Sequence, residues 1–523
     1  MISKLYSPLI AMAAVLLSFG TALGFAQAAG LPAPALAVPG VVFAFMLSRR
    51  PGGEPLAEKL TAAAVFSVLG GASTWLGPQL ARHPVVAGSV FVAFIGGSVW
   101  ARRFGPAVTR LGAMAPALAI ACLLASPAGS ADLPWWPECG WTALVALCAF
   151  TWVRGVRWLG ERIAGIPVPR PRPAPPGRES KRMPTSTRMA LQASLSLAAA
   201  LTAGHLLFGA HWQWCVISVL VVNLGSAGRG DLALKGIERG LGALAGTLVA
   251  PALGAVAAPH STASIVVIFV LLALASGLRQ YNYALYACGI TAVLSELYGY
   301  FGESAVQLLP IRLGALSLGA AIGVTVGWFV LPVRARDVLR ARVGAALAAL
   351  SALIEARRTG ADARAALAAF DAAADNVHAS ARPHRLYRSL LRLARRNPGL
   401  DPAVAGEALL GCRAPAHALA ATAPGPHERA AGAAIGILRR ALADPAAPGR
   451  GFPAPAGRGP LADLDAALRQ VAAAVPALRP IGADRQSTSQ SIPSSRTDAA
   501  DSGRPAHLPE RAATGAATGN GFH

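Results

Sequence analysis

Charged residues are scarce in this sequence: they make up 14% of its 523 positions, whereas hydrophobic residues make up 54%. Soluble domains carry about 25% charged residues, so this composition excludes an ordinary soluble protein. Between Ser7 and Leu331 uncharged stretches recur that are long enough to cross a bilayer as helices. The sequence therefore predicts an all-α membrane protein in contact with the lipid bilayer.

The sequence also lacks the motifs of nucleotide-driven or catalytic chemistry. It contains no Walker-type phosphate loop, no dinucleotide fingerprint in a βαβ context, no Gly-x-Ser-x-Gly elbow and no His-Glu-x-x-His pair. Its six cysteines show no paired metal-ligand spacing, which is typical of small buried hydrophobes. We therefore expect neither an ATP-driven pump nor an enzyme, with no catalytic residue, no metal and no cofactor.

The net charge of +22 raises the alternative of a nucleic-acid-binding protein, but the charges follow a membrane pattern. Up to Pro332 there are 22 Lys and Arg, and 20 of them fall in segments on one side if the N-terminus is cytoplasmic. Only Arg82 and Arg312 fall on the other side. Because basic loops stay cytoplasmic during insertion, we expect both termini inside and no nucleic-acid partner.

The apolar segments fall into two sets of six. The first set is predicted as helices over 6–29, 31–48, 57–77, 84–101, 106–127 and 139–159, and the second over 187–208, 211–226, 236–257, 262–278, 282–300 and 310–331. Basic and Pro/His turns recur at an offset of roughly 180 residues, for example Arg102-Arg103-Phe104 and Arg279-Gln280-Tyr281. Because six is even, the sets are predicted to be parallel repeats of about twelve transmembrane helices in total.

These patterns divide the chain into five predicted parts. They are a first membrane half (1–165), a Pro/Arg-rich cytoplasmic linker (166–186), a second membrane half (187–332), a cytoplasmic helical domain (333–480) and a disordered tail (481–523). The apolar run from Leu9 to Phe25 leaves a cleaved signal peptide open as an alternative to a first transmembrane helix.

Polar residues concentrate in the second half, where the bilayer penalises them. Arg239 lies within a predicted membrane helix, and such charges line cavities or pair with partners. Arg312 is predicted either to pair with Glu296 or Glu303 or to attract an anion. His205 and Glu296 are candidates for a proton relay, and an interfacial histidine is the alternative for His205.

Aromatic and small residues complete the set of candidates. Trp212 and Trp214 are predicted as part of an aromatic belt at the membrane surface or as a stacking wall for an aromatic substrate. Glycines at small-residue spacing predict close helix packing, at Gly242, Gly246, Gly319, Gly323 and Gly327.

Several of these residues form a pattern that resembles the fusaric acid resistance (FUSC-like) and aromatic acid exporter family of bacterial inner-membrane proteins. The pattern consists of Trp212-Gln213-Trp214, Val221-Val222-Asn223, Arg239-x-x-Gly242-x-x-x-Gly246, Arg279-x-Tyr281-x-Tyr283, Arg312 and Leu331-Pro332. It covers 187–332 best. The resemblance implies a bacterial inner-membrane exporter of aromatic or other carboxylic acids, plausibly proton-driven, with a periplasmic adaptor protein as a partner in some members.

We therefore expect an exporter of small organic anions. Its carboxylate-attracting residues are Arg239, Arg279 and Arg312, and its ring contacts are Trp212, Trp214, Tyr281 and Tyr283. A passive anion channel and a non-transporting scaffold that recruits partners through the helical domain are the alternatives, and a homo-oligomer is compatible with each.

Overall fold

A computed structural model of the chain describes residues 2–48, 55–124, 135–164, 184–223, 226, 228–254, 261–279, 281–300, 305–332, 334–396, 401–423, 425, 428–443 and 459–478. The regular elements within these ranges are all helical. Most of the predicted linker, Glu303 and the predicted disordered tail lie outside the described residues.

All twelve apolar segments are helical. The first set forms α1 (Ile2–Ala29), α2 (Ala33–Leu47), α3 (Leu56–Arg82), α4 (Pro84–Trp100), a short 3-10 helix (Ala101–Phe104), α5 (Pro106–Gly112), α6 (Ala115–Leu124) and α7 (Trp135–Ala164). The second forms α8 (Thr185–Phe208), a 3-10 turn (Gly209–His211), α9 (Gln213–Asn223), α10 (Arg229–Gly254), α11 (Thr262–Leu278), α12 (Tyr283–Tyr300) and α13 (Ala305–Phe329).

Seven of these helical regions are long and apolar enough to cross a membrane. They are Leu9–Ala29, Leu56–Arg82, Pro84–Phe104, Ala107–Leu124, Pro137–Ile163, Ser186–His211 and Pro310–Phe329. Four shorter apolar helices also occur: Ala33–Leu47, Gln213–Asn223, Thr262–Leu278 and Tyr283–Leu297. The protein is therefore a multi-pass membrane protein, and twelve crossings in two parallel repeats stay a prediction.

Helices α1, α3, α7 and α13 extend four or five residues beyond their predicted bounds, and two other segments differ more strongly. The segment 106–127 divides into α5 and α6 at Ala113 and Met114. Pro116 has no backbone N–H to donate to the carbonyl of Gly112, and its ring crowds that carbonyl, so the helix cannot continue unbroken. Helix α10 begins at Arg229, seven residues earlier than predicted, and an i,i+4 ion pair between Asp231 and Lys235 supports its first turns (3.2 Å). Arg239 consequently lies well inside the helix.

Within each set, the first three helices pack on the last one. Helices α1, α2 and α3 contact α7, while α8, α9 and α10 contact α13. The two sets meet where α4 packs on α8, α1 on α11 and α6 on α9. The space enclosed by these contacts is where residues of both sets can reach a common ligand.

The chain after the membrane helices forms a bundle with its own apolar core. Its helices are α14 (Ala335–Thr359), α15 (Ala363–Leu393), α16 (Pro402–Gly411), α17 (Arg413–Ala420), α18 (Glu428–Ala443) and α19 (Pro460–Ala474), followed by a 3-10 turn (Val475–Leu478). Residues such as Leu347, Phe370 and Leu468 are fully buried in that core. The bundle contacts the start of α10 through α14 and α15, where Arg382 forms an ion pair with Glu238. Its cytoplasmic location stays a prediction.

Candidate functional site

Arg239 is buried among the membrane helices, with 2% of its surface exposed. Helix α10 carries it and packs closely on α12, with Gly242 and Gly246 at the contact. A Cβ added at Gly242 would lie 2.5 Å from the carbonyl oxygen of Ala284, and one added at Gly246 would lie 2.5 Å from that of Cys288. The glycines therefore let two helix backbones meet beside the arginine.

A cavity of about 210 Å³ opens beside Arg239, and we call it the Arg239 cavity. Its walls come from both sets of helices, with Phe19 of α1, Val41 of α2 and Ile120 of α6 on one side. Ile217 of α9, several residues of α11 and Tyr286 of α12 line the other side. Arg239 is the only charged residue among its described lining residues.

The guanidinium of Arg239 has no compensating partner in the described part of the chain. It makes no hydrogen bond or ion pair there, and its Nε is a fully buried donor. Removing an ion from water costs several kcal/mol even after a protein relaxes around it. The cavity therefore presents one buried cation within an otherwise apolar wall, and an anion placed there would offset the cost of burying it.

Aromatic residues of α12 link Arg239 to Arg279. The rings of Tyr283 and Tyr286 lie 5.8 Å apart, and the guanidinium of Arg279 lies 5.4 Å from the Tyr286 ring centre. Tyr283 interacts electrostatically with both Arg239 and Arg279, and its buried hydroxyl has no hydrogen-bond partner among the described residues. Of these residues Tyr286 lines the Arg239 cavity, whereas Tyr283 and Arg279 do not. Tyr281 is 73% exposed and does not line the cavity either.

The two tryptophans and Arg312 form a separate buried row. The guanidinium of Arg312 lies 4.6 Å from the Trp214 ring centre and donates a hydrogen bond to Ser295 Oγ (2.5 Å). The His205 ring stacks on Trp212 at 4.5 Å. Both tryptophans are buried in the core where the two sets meet, and neither lines the Arg239 cavity. Their roles as an aromatic belt or as a stacking wall stay predictions.

The two proton-relay candidates lie at opposite ends of this row. His205 Nδ1 donates to the carbonyl oxygen of Leu201 (2.9 Å), and its Nε2 is buried without a described partner. Glu296 is 6% exposed and follows Ser295, the hydrogen-bond acceptor of Arg312, in the sequence of α12. The pairing of Arg312 with Glu296 or Glu303 stays a prediction.

The remaining candidate glycines lie on α13. Gly319 faces the Cys215 carbonyl and Ser218 on α9, and Gly323 faces Val222 on the same helix. Gly327 faces the Leu232 side chain on α10. These three positions allow α13 to approach both neighbours, which fixes α10 and α9 around the Arg239 cavity.

Sequence patterns did not single out two aromatic residues of the cavity wall, Tyr286 and Tyr300. A weak signal for Tyr286 was available, because residues three apart share a helix face and Tyr283 was already a candidate. For the wall contributed by α1, α2 and α6 the sequence holds no signal, since these residues are ordinary apolar membrane residues.

The fold and the cavity define a multi-pass membrane protein with a buried cation between its helices. Residues 195–326, from α8 to α13, match the family model described as "Fusaric acid resistance protein-like". This match confirms the family resemblance over about a quarter of the chain and includes Arg239, Gly242 and Gly246. No curated protein matches the chain.

Proposed function

We propose that this protein exports small organic acids, foremost single-ring aromatic carboxylates, across the bacterial inner membrane. The observation that carries the proposal is the buried Arg239 without a described counter-charge at the wall of an apolar cavity between two sets of helices. Ionisable groups inside a membrane bundle are rare and costly, and many of them line substrate or ion pathways. The family match over 195–326 supports a transporter-like role.

The chemistry of the Arg239 cavity favours an amphiphilic anion. A guanidinium offers a planar fork of donors that matches a carboxylate, while Phe19, Tyr286 and the aliphatic walls favour an apolar ring. An apolar cavity of about 150 Å³ can bind benzene. The volume of about 210 Å³ therefore suits a benzoate-sized ligand.

Coupling to the proton gradient is part of the proposal. His205 and Glu296 are the candidates because a group that cycles between charged and neutral forms can carry a proton. We propose that Glu296, a buried carboxyl group on α12, takes up a proton as the anion leaves. Glu296→Gln is then expected to leave benzoate binding within about twofold while removing the stimulation of transport by a pH gradient.

The central test is benzoate transport by purified protein in liposomes. Arg239→Gln removes the charge and keeps a polar side chain. Losing one partner of a buried charge pair costs about 2–5 kcal/mol, so this variant should bind benzoate at least about thirtyfold more weakly. Arg103→Gln is the matched control, because Arg103 lies 3.7 Å from the Trp100 ring centre and lines no part of the cavity. Equal transport by wild type, Arg239→Gln and Arg103→Gln would rule out the proposal.

The same liposomes separate coupled export from the alternatives. A pH gradient accelerates benzoate movement against its concentration gradient if transport is coupled. Anion currents that are ohmic and independent of pH would instead identify a passive channel. Complete absence of flux, with partner recruitment retained by the helical bundle, would identify a scaffold.

A further inference from the structure

A second, smaller pocket lies across α9 from the Arg239 cavity, and we call it the Arg102 pocket. Its volume is about 60 Å³. Residues of both membrane sets line it, including Ser98 and Arg102 from the first and Gln192, Asn223 and Arg229 from the second.

The Arg102 pocket contains hydrogen-bond donors that lack acceptors. Arg102 Nε and Asn223 Nδ2 are both fully buried, and neither has a hydrogen-bond partner within the described chain. Buried donors without a partner each cost about 1–3 kcal/mol, so their convergence in one pocket calls for an acceptor. None of the described residues that line the pocket is acidic.

Neighbouring charged groups leave the pocket positive. Asp231, the nearest acidic residue in sequence to Arg229, forms an ion pair with Lys235 (3.2 Å). Lys235 also donates to the hydroxyl of the lining residue Ser226 (3.3 Å). Arg229 lies 5.0 Å from the ring centre of Trp328, a contact that holds its guanidinium at the pocket without neutralising it.

The Arg102 pocket and the Arg239 cavity are separate sites. Leu220 and Asn223 of α9 line the pocket, whereas Ile217 and Val221 on another face of the same helix line the cavity. Along α10, Arg229 and Arg239 are ten residues apart, which corresponds to about 15 Å at the rise of an α-helix.

We propose that the Arg102 pocket binds a small oxyanion, a carboxylate or phosphate group, through Arg102, Asn223 and Arg229. A volume of about 60 Å³ accommodates a few water molecules or a group of that size, and it excludes an aromatic ring. Arg102 and Asn223 belong to different sets of helices, so the bound oxyanion bridges the sets and stabilises their contact. The site is independent of transport through the Arg239 cavity.

The test measures thermal unfolding of the full chain in nanodiscs of zwitterionic lipid, at constant ionic strength. Sodium acetate and inorganic phosphate are the probes, and each is expected to raise the Tm of the wild type with a saturable dose dependence. Arg102→Gln and Asn223→Asp, which removes a donor and adds a negative charge without changing size, are expected to raise the half-saturating concentration at least tenfold. Arg103→Gln is expected to change it less than twofold.

Arg102→Lys keeps the positive charge but loses the planar set of guanidinium donors, so its affinity for acetate and phosphate should be intermediate. This variant replaces Arg102→Gln in the test if Arg102→Gln does not fold. Arg239→Gln is expected to leave acetate and phosphate binding unchanged while weakening benzoate binding, so the two sites are tested separately. Absence of saturable stabilisation in the wild type, or equal affinities in Arg102→Gln, Asn223→Asp and Arg103→Gln, would overturn the inference.

A further arm identifies the source of the oxyanion. In nanodiscs that contain phosphatidylglycerol, loss of the phosphate response in the wild type assigns the pocket to a lipid headgroup. Retention of the response assigns it to a soluble anion.

Discussion

The glycine contact between α10 and α12 permits a quantitative prediction about the helix that carries Arg239. A Cβ at Gly246 would lie 2.5 Å from the Cys288 carbonyl oxygen and 2.8 Å from the Thr291 Cβ. Both atoms are fixed by the α12 backbone, so no rotamer change relieves the clash. Since an ordinary contact is about 3.5 Å, the helices must separate by roughly 1 Å.

Overpacking in Gly246→Ala should lower the free energy of unfolding by about 1–3 kcal/mol. The higher helix propensity of alanine should offset about 0.5–1 kcal/mol of that loss. Gly240→Ala is the matched control on the same helix, since nothing lies within 4 Å of its Cβ position, and it should stabilise the protein. Gly242→Ala should behave like Gly246→Ala. The double variant should cost less than the sum of both, because one helix separation relieves both clashes.

The assay is thermal unfolding of the purified protein together with benzoate binding. Gly246→Ala and Gly242→Ala should lower the Tm relative to Gly240→Ala, and Gly242→Ala should also weaken benzoate binding, because Gly242 lies within one turn of Arg239. Equal Tm values for Gly240→Ala, Gly242→Ala and Gly246→Ala would refute the close packing of α10 on α12.

Three further predictions concern the helical bundle. Arg357→Leu should lower the free energy of unfolding of the bundle by at least about 3 kcal/mol, because the buried Glu428 carboxylate, 2.8 Å from Arg357, loses its counter-charge. Faster amide hydrogen exchange in the bundle would show this loss. Arg382 and Glu238 should give a coupling energy of about 1 kcal/mol in a double-mutant cycle, since the half-exposed arginine is screened. Burial lowers the pKa of His384 from its usual value of 6.5. The unfolded chain then binds more protons, so the Tm should fall as the pH decreases below 6.5.

Each of these predictions has a control within the bundle. Arg358→Leu removes an exposed partner of Glu355 and should cost less than about 1 kcal/mol, so an equal effect of Arg357→Leu would contradict the buried pair. A coupling energy near zero would contradict a stabilising ion pair between Arg382 and Glu238. His384→Gln should flatten the decrease in Tm just below pH 6.5, and an unchanged pH profile would exclude His384 as its cause.

The sequence by itself determined that the protein is an all-helical membrane protein and where its apolar segments are helical. Lipid cannot satisfy backbone hydrogen bonds, so each long apolar segment has to be helical, and all twelve segments are. For the same reason, a charge such as Arg239 inside one of these segments is recognisable as a candidate from the sequence alone.

Only the tertiary structure decided which residues meet. Arg239 shares a cavity with Phe19, far away in the chain, and Arg102 shares a pocket with Asn223. Tyr281 fits the family pattern but is exposed, whereas Tyr286, five residues later, lines the cavity. The physical reason is that helix rotation and packing fix the direction of each side chain, and these depend on contacts between segments that hydropathy does not encode.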